Sequence, residues 1–232
     1  MNSIAIVGRG RMGTALSRSL RAAGHRVEGP LGRDANPAGV DAVLLCVPDA
    51  EIARAAAAVP PGPLVGHCSG ATTLEPLTGH EAFSLHPLMT VTADGAVFAG
   101  AGAAVTGSTP RALAFATELA ETLEMRPVEI PDEDRAAYHA AASIASNFLV
   151  TLEAAAEQVL GHDRDLLVPL VRATVDNWAK LGAEKALTGP IARGDEITVQ
   201  RQRRAVAERA PELLPLWDAL VGATRDVKER AA

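Results

Sequence analysis

Three segments of the 232-residue chain gather residue types able to do chemistry. The first is SLHPL at 84–88, where His86 is followed by Pro87 at the end of an apolar run. An imidazole titrates near neutrality, so His86 at a strand end could trade a proton with a carbonyl or carboxylate, or could cap the strand. The second is YHAAASIASN at 138–147. His139, Ser143 and Asn147 recur every four residues with Ser146 beside them, so an α-helix would carry them as one polar stripe among alanines. Such a stripe needs a substrate, a partner subunit or solvent. The third is LTGPIARGD at 187–195, in which Arg193 could bind a substrate carboxylate while Asp195 could cap the next helix.

A fourth segment points to a cofactor. GRGRMG at 8–13 follows a short apolar run and opens a helical pattern, with a second strand within about 30 residues, the context this fingerprint requires. Gly8 allows the tight turn, Gly10 lets a pyrophosphate approach the backbone, and Gly13 lets helix and strand pack closely. Arg11 and Met12 then begin a helix whose free N–H groups favour phosphate. A ligand-free turn is the alternative. About 20 residues past Gly13 stands Arg33, suited to the 2′-phosphate of NADP(H), with Asp34 beside it, which would select NAD(H) instead. Ligands of doubly wound sheets lie at the carboxyl ends of strands. Val47, Pro48 and Asp49 after the third strand, and His67, Ser69 and Gly70 after the fourth, are therefore expected at the cofactor. His67 could instead be a turn residue, and Cys68 reads as a small packed side chain.

The elements that must hold these residues fall into two halves. Up to Pro131, β-branched runs at 3–7, 25–31, 40–47, 64–68, 82–86, 103–106 and 126–130 alternate with helical patterns at 12–23, 50–58 and 111–124. This predicts an α/β fold, a doubly wound, mostly parallel sheet with helices on both faces. After Pro131 the pattern is helical, with a helix over 132–160 of about 43 Å and others over 164–181, 195–209 and 212–228. A short strand at 197–199 is the one doubtful exception. The expected domains are 1–131, binding the dinucleotide, and 132–232, all-helical, for substrate and dimerisation.

Composition removes several function classes. The formal charge is −6, which gives no general attraction to nucleic acid or anionic lipid. Two cysteines make neither a disulfide framework nor a zinc site, and no metal is expected. No apolar run reaches the roughly 18 residues of a transmembrane helix, and no signal peptide is evident. The expectation is a cytoplasmic protein. Aromatic residues are only 3%, so Ala, Leu, Val and Ile must build the core.

GRGRMG, DAVLLCVPD, GHCSGATTLEPL, SLHPL, YHAAASIASN and LTGPIARGD together resemble the Rossmann-like proteins with a C-terminal helical domain of unknown function. These are allied to the 6-phosphogluconate dehydrogenase C-terminal-like superfamily. The plan is similar to ketopantoate reductases, pyrroline-5-carboxylate reductases and prephenate dehydrogenases, and the last carry a His-Pro pair like 86–87. The resemblance implies an NADP(H)-dependent oxidoreductase. Hydride would pass between the cofactor and a small oxo acid or imine in the interdomain cleft. His86 or His139 would supply the proton, and Asn147, Ser143, Ser146 and Arg193 would hold the substrate. It also implies a homodimer. Two departures stand out. Ser143 occupies the position where hydroxyacid dehydrogenases and ketopantoate reductases carry a lysine, and Gln202 stands where relatives tend to have His. The first motivates two other readings: a non-catalytic NADP(H)-binding sensor or accessory protein, or a ketopantoate-type reductase with a changed proton donor.

Overall fold

The computed structural model describes residues 3–32 and 35–230. They divide into two compact units, 1–146 and 147–232.

The first unit is built on one seven-stranded sheet. Its strands are β1 (Ser3–Val7), β2 (Arg26–Leu31), β3 (Ala42–Leu45), β4 (Leu64–His67), β5 (Ala82–Leu88), β6 (Gly102–Gly107) and β7 (Arg126–Glu129), in the order β2-β1-β3-β4-β5-β6-β7. Only the β5–β6 pairing is antiparallel. This is the doubly wound, mostly parallel sheet the alternating runs predict. The short runs AVLL and LVGH are buried throughout because both faces of a central parallel strand are covered.

Side chains alternate between the faces as the pleat requires. On one face Ile4, Ile6, Phe83 and Leu85 pack with Leu16 and Leu20 of α1 (Arg11–Ala22) and with Phe115 and Leu119 of α3 (Pro110–Thr122). On the other, Ala5, Val7, Val43, Leu45 and Val65 pack with Ile52, Ala55 and Ala56 of α2 (Ile52–Ala57). With few aromatics available, Phe83 fills the centre and meets Phe115 edge-on at 5.2 Å between centroids. Gly66 on the neighbouring strand makes the room: a Cβ there would stand 2.4 Å from the Phe83 ring.

The predicted 132–160 helix is four pieces. A 3₁₀ turn (Asp132–Asp134) leads into α4 (Arg135–Ser143), a π-helical turn follows over Ile144–Phe148, and α5 (Leu149–Leu160) ends at Gly161 in the left-handed region. The boundary between the units falls inside the π turn, at 146/147.

The second unit continues with α6 (Val168–Leu181), α7 (Ala183–Ala186), α8 (Pro190–Arg193), α9 (Glu196–Arg209) and α10 (Leu214–Glu229). The doubtful strand at 197–199 lies inside α9. Asp195 explains this: its carboxylate accepts from the Thr198 N–H at 3.0 Å and from the Thr198 hydroxyl at 2.7 Å, which starts a helix where the β-branched residues alone suggest a strand. Arg209 donates to the carbonyls of Val159 and Leu160 at 3.0 and 3.2 Å, placing a cation on the last turn of α5. No helix among the described residues is long and apolar enough to cross a membrane.

Candidate functional site

The glycine turn between β1 and α1 tolerates no side chain at two of its three positions. Gly8 has φ +122°, and a Cβ would lie 2.1 Å from the Cys46 carbonyl oxygen. A Cβ on Gly13 would lie 2.0 Å from the Gly8 carbonyl oxygen. Gly10 is different: a Cβ would meet nothing within 4 Å, because it would project into open space. That space is a cavity of about 370 Å³ lined by Gly8, Arg9, Gly10, Gly32, Cys46, Val47 and Pro48. It sits where the chain leaves β1 for β2 on one side and returns to β3 on the other, the switch point at which such sheets bind dinucleotides. Gly10 caps α1 without a side-chain bond and no acidic residue occupies the first turn, so the first N–H groups, including those of Arg11 and Met12, keep their pull on an anion. Gly8, Gly10, Val47 and Pro48 thus line one cavity. Arg33 lies outside the described residues.

The loop after β4 is tied down by its own polar groups. Asp49 accepts from the hydroxyls of Ser69 at 2.7 Å and Thr72 at 3.1 Å, and the Ser69 oxygen accepts from the Thr72 N–H at 2.9 Å. His67 was expected at the cofactor, and here the expectation needs correction. Its side chain is fully buried, Nε2 donates to the Thr73 carbonyl at 3.0 Å, and Nδ1 accepts from the Ser69 N–H at 3.2 Å. Burial favours the neutral ring. With both nitrogens engaged, His67 shapes the loop and has no group to offer a ligand. Asp49 and Ser69 are committed chiefly to each other.

This loop carries Gly70, and Gly70 seats a second cluster. A Cβ there would stand 2.8 Å from Cε1 and 2.9 Å from Nε2 of His86, and 3.0 Å from Cδ2 of His139. The His86 and His139 rings are 6.3 Å apart between centroids. Nδ1 of His86 lies 2.8 Å from the Tyr138 hydroxyl, and the two rings meet edge-on. Burial first, then His139 and the Arg135 guanidinium, push the His86 pKa down from 6.5 to about 4. Burial pushes the Tyr138 phenol up. A protonated phenol beside a neutral imidazole is the donor, so we assign the Tyr138 O–H to Nδ1, which leaves the ring hydrogen on Nε2, next to Gly70.

Arg135 holds this cluster to the sheet. It is 1% exposed, with Nε donating to Asp132 at 3.0 Å, Nη2 to the hydroxyls of Thr106 at 3.0 Å and Ser84, and Nη1 to the Ser69 carbonyl at 3.4 Å. Each guanidinium nitrogen has a partner, which is what a buried cation requires. Cys46 and Cys68 follow β3 and β4 as free thiols, 3.6 Å apart.

His86 and His139 therefore come together, and Ser143 follows His139 one turn along α4. The predicted stripe does not continue to Asn147. Four residues no longer complete a turn in a π-helix, so the α-helical i,i+4 rule fails across Ile144–Phe148. Ser146 is half-buried in that turn. Asn147 and Arg193 are exposed residues of the second unit, Arg193 at the end of α8. Asp195 takes the capping role open to it. Sequence reasoning missed Tyr138, Arg135, Ser84 and the seat at Gly70. Tyr138 carried a signal, as the sole tyrosine of the chain and the residue before His139. Arg135, after three acidic residues, reads as part of a solvated turn and carried none.

With this geometry in hand, solved structures give a fold-level match over the whole chain. A Bacteroides fragilis protein provisionally named an NADP oxidoreductase superposes with a TM-score of 0.84 at 21% identity, covering 97% of this chain and 98% of that one. The protein TM1727 of Thermotoga maritima matches with a TM-score of 0.79 at 25% identity, covering 98% of each chain. The reductive aminase of Aspergillus terreus, solved with NADPH and ethyl-5-oxohexanoate, matches with a TM-score of 0.69 at 16% identity over 97% and 94%. The fold is thus that of Rossmann-type NADP oxidoreductases. No curated protein matches by sequence. A family profile described as a domain of unknown function, DUF2520, matches residues 101–224, more than half of the chain, and the protein belongs to that family.

Proposed function

We propose that this protein is an NADP(H)-dependent oxidoreductase acting on a small imine or oxo acid. The observation that carries the reading is the glycine cradle, two of whose positions exclude a side chain while the third opens on a cavity. The residues fit the cofactor: the pyrophosphate would lie on the backbone at Gly8, Gly10 and the first turn of α1. When bound, the nicotinamide supplies or accepts hydride. β1 and β5 are three strand spacings apart, about 14 Å, so a dinucleotide extended along the strand ends from the cradle would bring its reacting end toward His86.

His86 then orients the reacting group. Its Nε2–H would donate to the substrate nitrogen or oxygen, held in place by Tyr138 behind and Gly70 below. His139 and Ser143 supply further polar contacts. Nε2–H can hold only an acceptor, a carbonyl oxygen or an unprotonated imine nitrogen, because an iminium nitrogen has no lone pair left. Either substrate must receive a proton as hydride arrives, and His86 would give one by drawing on the Tyr138 phenol, which burial makes a weaker acid. A second reading, a non-catalytic NADP(H)-binding protein, is favoured by Ser143 at the lysine position. It predicts tight NADP(H) binding with no turnover, and binding unchanged in His86→Ala.

Fluorescence titration with NADPH tests the main reading. Wild type should bind at micromolar concentration and Gly10→Asp, which puts a carboxylate in the cradle, should not. A spectrophotometric screen of cyclic imines and small oxo acids should then give turnover that His86→Ala abolishes. Failure of wild type to bind either nicotinamide cofactor would remove the reading.

The same proposal includes a homodimer formed through the second unit. α5 and α6 bury no side chain, and Leu170, Trp178 and Leu181 are 64%, 59% and 52% exposed on α6, a stripe that a second copy of the same helix would cover. A solution mass of one chain would overturn it.

A further inference from the structure

We infer that Arg9 selects NADP(H) over NAD(H) by gripping the 2′-phosphate at the end of β2. This rests on the cofactor reading above and adds to it a residue that the glycine fingerprint leaves unspecified. In a βαβ dinucleotide fold the ribose 2′ position lies at the carboxyl end of the second strand. Here the Gly8 N–H donates to the Leu31 carbonyl at 2.9 Å, which brings the glycine turn against that strand end. Gly32 follows immediately and has no side chain. Arg9 uses the room: its guanidinium carbon lies 4.0 Å from the point where a Gly32 Cβ would stand. Arg9 and Gly32 both line the cavity that also holds Gly10. The side chain is exposed, and no described residue accepts a hydrogen bond from it.

A free, planar, five-donor cation at the 2′ end of a nucleotide cavity is suited to bidentate contact with a phosphate dianion. A 2′-hydroxyl offers it neither charge nor a second oxygen. The competing use of such a guanidinium is to stack on the adenine face, which both cofactors share. The two uses predict different results.

The test is the affinity of the full-length protein for NADPH, NADH and 2′,5′-ADP by calorimetry, in wild type, Arg9→Ala and Arg33→Ala. The expected result is that Arg9→Ala weakens NADPH and 2′,5′-ADP by about 10- to 100-fold, the worth of a charge-assisted contact, and leaves NADH within about twofold. Equal weakening of NADPH and NADH would assign Arg9 to stacking and overturn the inference. So would an unchanged Arg9→Ala beside an Arg33→Ala that loses NADPH. Wild type that binds NADPH no better than NADH also overturns it, leaving the oxidoreductase reading in place. Wild type that binds neither cofactor removes both.

Discussion

The two units bury their apolar residues very differently. In the first, the central strands are buried almost without exception, and both faces of the sheet carry their own layer of Leu, Ile, Val and Phe. In the second, the buried side chains among the described residues are Val199, Val206, Ala210 and Val221, all on or beside α9 and α10. The apolar content is comparable to the eye, since α5 reads LVTLEAAAEQVL and α6 VPLVRATVDNWAKL. What differs is whether the chain itself supplies the cover. A parallel sheet obtains both covering layers from its own crossover connections, whereas helices joined by short turns cover each other only on the faces that meet. The candidate site follows the same division: the cradle, Gly70, His86, Tyr138 and Arg135 all belong to the first unit.

The contrast can be broken by experiment. The largest effect is expected at Gly8. Gly8→Ala forces a carbon to within 2.1 Å of the Cys46 carbonyl oxygen at φ +122°, and should destabilise the first unit by more than about 4 kcal/mol or prevent folding, read by urea denaturation. Next is Arg135→Ala. It leaves a side-chain-sized hole and strands the Ser84 hydroxyl, at a cost of about 3 kcal/mol, and should also shift the pH dependence of any His86-dependent activity.

The third prediction is a pH dependence. The folded state depresses the His86 pKa from 6.5 to about 4, so between these values the unfolded chain binds the extra proton. Stability from this group is complete above about pH 6.5 and is lost as pH falls toward 4, by at most about 3 kcal/mol. Denaturant midpoints at pH 7 and pH 4.5 should differ less in His86→Gln than in wild type. The smallest effect is expected in the second unit. Gly161→Ala also meets a positive φ, +68°, but opens on empty space, so only the left-handed backbone is penalised, about 1 kcal/mol. A loss as large as that of Gly8→Ala would mean the helical unit is determined as tightly as the sheet, and the contrast would fail.

The sheet was legible because its signals are local. GRGRMG sits between a run and a helix, and AVLL is too short and too apolar for anything but a buried strand. The glycine turn was legible for the same reason. The rest depends on contacts distant in sequence. His67 and His86 look alike in the chain, each near the end of a strand, and only the loop at 68–73 folding back over His67 separates an imidazole with both nitrogens engaged from the candidate at 86. The π turn has no glycine or proline to announce it, so the stripe from His139 to Asn147 reads as regular. Arg135 pairs with Ser84 and Thr106, which lie 51 and 29 positions away, and nothing in its own neighbourhood hints at burial.

The seat under His86 constrains anyone who would redesign the site. Gly70 has nothing left to trim, and the floor beneath it is pinned by an imidazole with no idle nitrogen. Replacements at position 86 can only be smaller or equal in bulk, because a larger ring would have to lift the backbone itself. Room beside the ring can therefore be made only from the α4 side, at His139, which is exposed, and at Ser143, which is half-buried.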